Sequence, residues 1–179
     1  MDFFRCESIR LKPHWVLVVM DHSTRRIIGF GVHAAPAVDG RTLCRLFHQA
    51  TGRKGGPQWL STDHDPVFRF HQWQANLRIL GIHEVQTIPG VPVSHPFIER
   101  LIGTIRREYL DHLLFWKESD LTRKWEAFKE YYHASRIHQS LNQQTPREAS
   151  GKAPPLPANP KNFVWRSHCQ GWFQTPIAA

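Results

Sequence analysis

Ser94-His95-Pro96-Phe97-Ile98-Glu99-Arg100-Leu101-Ile102-Gly103-Thr104-Ile105-Arg106-Arg107 reads as an amphipathic helix with a proline near its first turn, where a missing N–H does no harm. Ile98, Leu101, Ile102 and Ile105 form its apolar stripe, continued by Tyr109. At about 100° per residue, Glu99 lies about 100° from the centre of that stripe, on a flank with Gly103 and Arg106 nearby. Upstream, with 35 residues between the two carboxylates, Asp63 closes the run Pro57-Gln58-Trp59-Leu60-Ser61-Thr62-Asp63. That run reads as a short buried strand ending in an acid. A carboxylate at a strand end and another on a basic helix suit a Mg²⁺ site for phosphodiester chemistry, since hard cations take oxygen ligands and arginines suit phosphate.

The elements on either side set the fold class. Three strand-like runs come first, at residues 2–9, 15–20 and 26–33, with turns at Lys12-Pro13 and His22-Ser23-Thr24. An antiparallel meander is the simplest arrangement. The unbroken apolar run 15–20 predicts a sheet covered on both faces. A helix is expected over 38–50, with Leu43, Leu46 and Phe47 on one side and Gly52 near its end. Phe70, Trp73, Leu77 and Leu80 then recur at helical spacing before Gly81, and 82–88 reads as another short strand. A second long helix over 120–139 would bury Leu121, Trp125, Phe128 and Tyr132. A meander followed by alternating strands and helices implies an α/β fold, a mixed sheet with helices packed on it. After Thr145-Pro146 the pattern fails. The expected organisation is a core over 1–150, a proline-rich linker over 151–160 and an aromatic tail over 161–179 that shows no periodicity.

Composition narrows the partner. The 179 residues carry a net charge of +8, with a pI near 9.9, which favours an anionic partner. Cys6, Cys44 and Cys169 are odd in number and form no CxxC pair, arguing against a disulfide framework or zinc finger and for a reducing compartment. The twelve histidines show no spacing that indicates zinc, and His168-Cys169 alone is a weak metal signal. The longest aliphatic run is too short to span a bilayer, and no secretory signal is visible. The expectation is a cytoplasmic protein with no membrane partner.

Four pieces together carry a family likeness. They are Asp21-His22-Ser23-Thr24-Arg25-Arg26-Ile27-Ile28-Gly29, Thr62-Asp63-His64-Asp65-Pro66-Val67-Phe68, Ser94 to Thr104, and Tyr131-Tyr132 followed by Arg136, His138 and Leu141. On these the chain, from Asp2 to about Ala149, resembles the retroviral-integrase-type catalytic core of bacterial insertion-sequence DDE transposases. The resemblance implies a ribonuclease-H-like fold with a five-stranded mixed sheet flanked by helices. It implies Mg²⁺-dependent cleavage at a DNA 3′ end followed by strand transfer during integration. The rival readings are a non-catalytic DNA-binding remnant and a nuclease of the same fold that does not join strands.

The resemblance also implies the site. The family's third carboxylate lies on the first strand in an Asp-x-Phe/Thr motif, matched here by Asp2-Phe3-Phe4, so the carried-over triad is Asp2, Asp63 and Glu99. Spacing alone leaves Asp21 open for the first position; in the family pattern its counterpart does not bind metal. Asp65 reads as a turn residue beside Pro66. Two Mg²⁺ or Mn²⁺ ions, about 4 Å apart, need such a set, with Asp2 bridging. Arg106 is the first candidate for a phosphate contact, followed by Arg100, Arg107 and His64, the last standing where the family usually has Asn. His95 and His138 read as structural. Gly103 replaces a basic residue often found four after the Glu. The partners implied are DNA, both element ends and target, and further copies of the chain. The helix-turn-helix region that normally precedes such a core is expected to be missing from this chain.

Overall fold

The structure, a computed structural model, describes residues 1–52, 56–86 and 96–179. It divides into two compact units, Met1–Met20 with Ile27–Thr122, and Asp21–Arg26 with Arg123–Ala179.

In the first unit, β1 (Asp2–Glu7), β2 (Pro13–Met20) and β3 (Ile27–His33) form the antiparallel meander that the turns predict. Asp2 pairs with Val18, and Val16 with Val32, along the ladder. α1 (Gly40–Thr51) follows, capped by Asp39, whose carboxylate accepts from the Thr42 N–H at 2.7 Å. It lies hard against β3: a Cβ on Gly29 would run into the Ala50 carbonyl and one on Gly31 into the Leu46 carbonyl. Leu17 and Val19 of β2, Leu43, Leu46 and Phe47 of α1, and Trp73 and Leu77 of α2 (His71–Ile79) make the core. Val16 and Val18, on the other face of β2, are fully buried as well, so the continuous apolar run reflects a strand covered on both faces.

β4 (Trp59–Thr62) and β5 (His83–Gln86) pair in parallel. Residues 87 and 88, expected to extend β5, lie outside the described residues, as do Ser94 and His95. Five strands of both directions are present in this unit, but they do not join into the single five-stranded sheet expected. β1-β2-β3 form one sheet and β4-β5 another. Between them the Met1 nitrogen donates to the Ser61 carbonyl at 2.8 Å, but among the described residues no strand ladder joins the two sheets. α3 (Pro96–Glu108) buries Ile98, Leu101 and Ile105 as its periodicity requires.

α4 (Glu118–Ala134) begins in the first unit and continues in the second. It stops five residues short of the expected 139. His138 instead forms an antiparallel bridge with Gln144, and Asn142 and Gln143 adopt left-handed φ of 53° and 64° between them. α5 (Pro146–Ala149) opens with a capping box between Thr145 and Glu148. The tail read as lacking periodic structure is an antiparallel hairpin of β6 (Phe163–His168) and β7 (Phe173–Ala178). It docks within its own unit, with the Phe173 ring stacked on Tyr131 at 4.1 Å.

Candidate active site

The end of β4 is fixed by a polar knot. Thr62, fully buried, donates its hydroxyl to Glu84 on β5 at 2.9 Å. The same carboxylate accepts from Trp73 Nε1 at 3.3 Å and Gln74 Nε2 at 2.8 Å. Glu84 therefore ties β4, β5 and α2 together next to Asp63. Sequence reasoning missed it; the available signal was a lone acid in a short apolar strand. The Asp63 carboxylate accepts from the Asp65 N–H at 3.1 Å, and the Asp65 carboxylate from the Val67 N–H at 2.9 Å. Asp65 thus caps the short 3₁₀ turn Pro66–Arg69, the turn role its place before proline suggests. Phe68 in that turn stacks on Phe3 at 5.9 Å, which draws β1 towards the Asp63 segment.

Asp2 opens β1 with its side chain half-buried and its Oδ1 accepting from the Phe3 N–H at 2.6 Å. Burial raises its carboxyl to about 6, and the charges of Asp63 and Glu99 add to the rise, while the Phe3 N–H and the chain's ammonium group oppose it. Three acids, separated in the sequence, lie within electrostatic reach of one another through Asp2. Glu99 stands exposed in the first turn of α3.

Asp21 is differently engaged. Its oxygens accept from the Ser23 N–H at 2.9 Å, the Ser23 hydroxyl at 2.8 Å and the Thr24 hydroxyl at 2.7 Å. Burial pushes its carboxyl up, but these bonds outweigh it and hold the group below its ordinary value. Arg100, Arg106 and Arg107 are all exposed, and His64 is half-buried. Arg106 reaches β1, where Nη2 donates to the Arg5 carbonyl at 3.2 Å. His138 is lowered to about 4 by burial and by Arg136 and Arg25, so it is neutral at pH 7. Among the described residues no three His, Cys, Asp or Glu side chains are grouped tightly enough to hold a metal ion together, and no described helix is long and apolar enough to cross a membrane.

Comparison with known proteins agrees with the motif likeness. Residues 80–146 match the integrase core domain family, a segment that includes Glu99 and the α3 arginines but not Asp2 or Asp63. A 39.2 kDa protein of insertion element IS476 from Xanthomonas euvesicatoria is 26% identical over 148 residues, 83% of this chain and 42% of its own length. The transposase of transposon Tn552 from Staphylococcus aureus is 26% identical over 107 residues, 55% of this chain and 22% of its own. The chain thus spans less than half the length of either. A chain of the simian T-cell lymphotropic virus intasome superposes with a TM-score of 0.65 at 17% identity, covering 92% of this chain and 59% of that one. The HTLV-2 integrase catalytic core, solved with magnesium, gives 0.59 at 14% identity, over 84% of this chain and 95% of its own. The BIV integrase core gives 0.55 at 15%, over 82% and 90%. The fold is that of retroviral integrase catalytic cores, mixed α/β and ribonuclease-H-like.

Proposed function

We propose, for a chain whose residues 80–146 match the integrase core domain, that it is the catalytic core of a DDE-type transposase or integrase. It would cleave DNA at a 3′ end and transfer the freed strand to target DNA. The observation that carries this reading is the raised carboxyl of Asp2, held at about 6 by burial together with Asp63 and Glu99. Structural acids are normally paired with cations or hydrogen-bond donors; like charges crowded at a strand end are more common where positive charge is to be received.

The donor set fits Mg²⁺ or Mn²⁺, being all oxygen and carrying mutual repulsion that a divalent cation relieves. Asp2, Asp63 and Glu99 would hold it, as two ions in the family's manner. The bound metal would lower the pKa of an attacking oxygen and stabilise a departing one. The chain's own groups do the rest. Asp2, ionised at pH 7 against the preference of its surroundings, is relieved by positive charge brought beside it. The turn after β4, pinned by Glu84, Asp65 and Phe68, keeps Asp63 in place. Arg100 and Arg107, exposed on α3, hold the phosphate backbone with His64. Water attacks one phosphodiester and frees a 3′-hydroxyl; that hydroxyl then attacks a target phosphodiester, forming one P–O bond as another breaks. Use of two DNA ends favours a homo-oligomer, and the greater length of the relatives leaves room for a separate end-recognition region. The expected setting is bacterial cytoplasm, on DNA.

The test is a labelled duplex bearing the element's end, incubated with Mg²⁺ or Mn²⁺ and resolved by strand length. Asp2→Asn, Asp63→Asn and Glu99→Gln should each reduce nicking and joining to the level without protein, and double variants should be no worse. A variant that keeps activity removes that residue from the triad. The looser grouping of the three acids favours one second reading, a DNA-binding remnant that does not cut. In that case duplex is bound, but no cation raises the melting temperature and no strand is shortened.

A further inference from the structure

Two neighbouring arginines at the end of α3 point different ways. Arg106 turns to β1, with Nη2 3.2 Å from the Arg5 carbonyl and Cζ 5.6 Å from the centre of the Phe4 ring. Arg107 folds back along its own helix. A Cβ built on Gly103 would lie 3.0 Å from Arg107 Nη1 and 3.6 Å from Nη2, so the guanidinium rests over the glycine. The Arg107 carbonyl accepts from His112 Nε2 at 3.1 Å, anchoring the backbone from which the side chain returns.

The spacing gives the Arg106 contact a meaning. Asp2 and Arg5 are three residues apart on a strand, roughly 10 Å. Glu99 and Arg106 are seven apart on a helix, roughly 10.5 Å, and within about 20° of the same face. Strand and helix therefore keep step: tying Arg106 to Arg5 at one end brings Glu99 alongside Asp2 at the other, as their electrostatic coupling requires. A guanidinium committed to a carbonyl and a ring face has fewer donors left for phosphate. Residue 103 lies one turn beyond Glu99, about 6 Å along the axis. Since Gly103 has no side chain, the charge arriving there is Arg107's.

We propose that the two arginines divide the work. Arg106 is a positioning residue that sets the Glu99 helix in register with the Asp2 strand. Arg107, seated over Gly103, is the α3 cation that contacts the DNA phosphodiester beside the carboxylates. This rests on the DNA-processing reading above and reverses the order expected from helix periodicity, which put Arg106 first. Gly103 becomes a functional position because even a Cβ there would crowd Arg107 Nη1 at 3.0 Å, and a longer side chain would compete with the guanidinium for its place.

The test uses the full chain, a fluorescent duplex and no divalent cation, with affinity followed across salt concentration and melting temperature measured alongside. Arg107→Ala should reduce the slope of log K against log salt by about one, the loss of one phosphate contact. Adding Gly103→Lys to Arg107→Ala should restore the slope, and Gly103→Ala alone should weaken binding. Arg106→Ala should leave the slope at the wild-type value but weaken Mn²⁺ binding several-fold, with Arg106→Lys recovering part of it. A slope lowered by Arg106→Ala and untouched by Arg107→Ala overturns the proposal, as does Mn²⁺ affinity that is unchanged in Arg106→Ala or absent from the wild type. Wild-type protein that binds no duplex at any salt instead overturns the DNA reading on which this one stands.

Discussion

At neutral pH the Asp2 carboxyl, raised to about 6 by burial and by Asp63 and Glu99, must give up a proton that its surroundings favour. Its ordinary value is 3.8. The stabilisation from the protonated form is complete below that value and is lost as pH rises through about 6. Asp2→Asn should therefore raise stability at pH 7 by about 1–3 kcal/mol, since a tenfold change in proton affinity is worth roughly 1.4 kcal/mol. It should also flatten the pH dependence between 4 and 6. Urea denaturation from about pH 4 to pH 7 checks both, and an unaltered curve would place the repulsion elsewhere. At this scale the sequence was legible in part. It named Asp2, Asp21 and Asp65 as rivals but could not separate Asp2 from Asp21 by spacing. In the structure they differ in hydrogen bonding: Asp21 accepts from Ser23 and Thr24, Asp2 from the Phe3 N–H. Arg106 and Arg107 were visible as cations, but the directions of their side chains depend on contacts that helical periodicity does not encode.

Among the elements, β3 and α1 are the most tightly apposed. A methyl group at Gly31 would meet the Leu46 carbonyl, backbone against backbone, and neither side can turn away as a flexible side chain would. Gly31→Ala should destabilise by about 1–3 kcal/mol, the usual cost of overpacking, and Gly29→Ala should behave alike against Ala50. Both are read from thermal denaturation; variants as stable as the wild type would mean that α1 stands off from β3 in solution. The two glycines were readable in the sequence as part of a strand, though not as the floor for a helix. The hairpin β6–β7 was not readable at all. Pro176 stands inside its second strand, opposite Trp165, where a proline argues against a strand, and its turn needs positive φ at Cys169 and Gln170 as well as at Gly171, so the usual turn residues do not signal it. The end of α4 was overrun because apolar residues recur at Ile137 and Leu141, while the chain leaves the helix after Ala134 and pairs His138 with Gln144.

For the whole molecule, charge is unevenly shared. The unit Asp21–Arg26 with Arg123–Ala179 holds ten Lys and Arg against four Asp and Glu, +6 of the net +8. Duplex binding should accordingly be steeply salt-dependent and largely indifferent to sequence. Truncation after Ala149 should reduce the salt slope, because Lys152, Lys161 and Arg166 are removed. Fluorescence anisotropy against several unrelated duplexes measures this; a flat salt response, or strong preference for one sequence, would contradict it. Phe163, Val164 and Trp165 of the hairpin are exposed beside this charge, Trp165 by 60%.

Asp2 opens a strand of one sheet and Asp63 follows the end of a strand of the other, and the bond from the Met1 nitrogen to the Ser61 carbonyl is a stitch across the seam between them. Among the described residues no ladder joins the two sheets, and a seam without a ladder has slack. The gap between the acids can then be taken in by whatever draws them together, with no cost in breaking a ladder of hydrogen bonds. Adding Mn²⁺ should slow amide exchange in β1 and β4 together while leaving the β2–β3 ladder as it was. If only one of the two strands tightens, the slack lies inside a sheet and the acids do not move as partners.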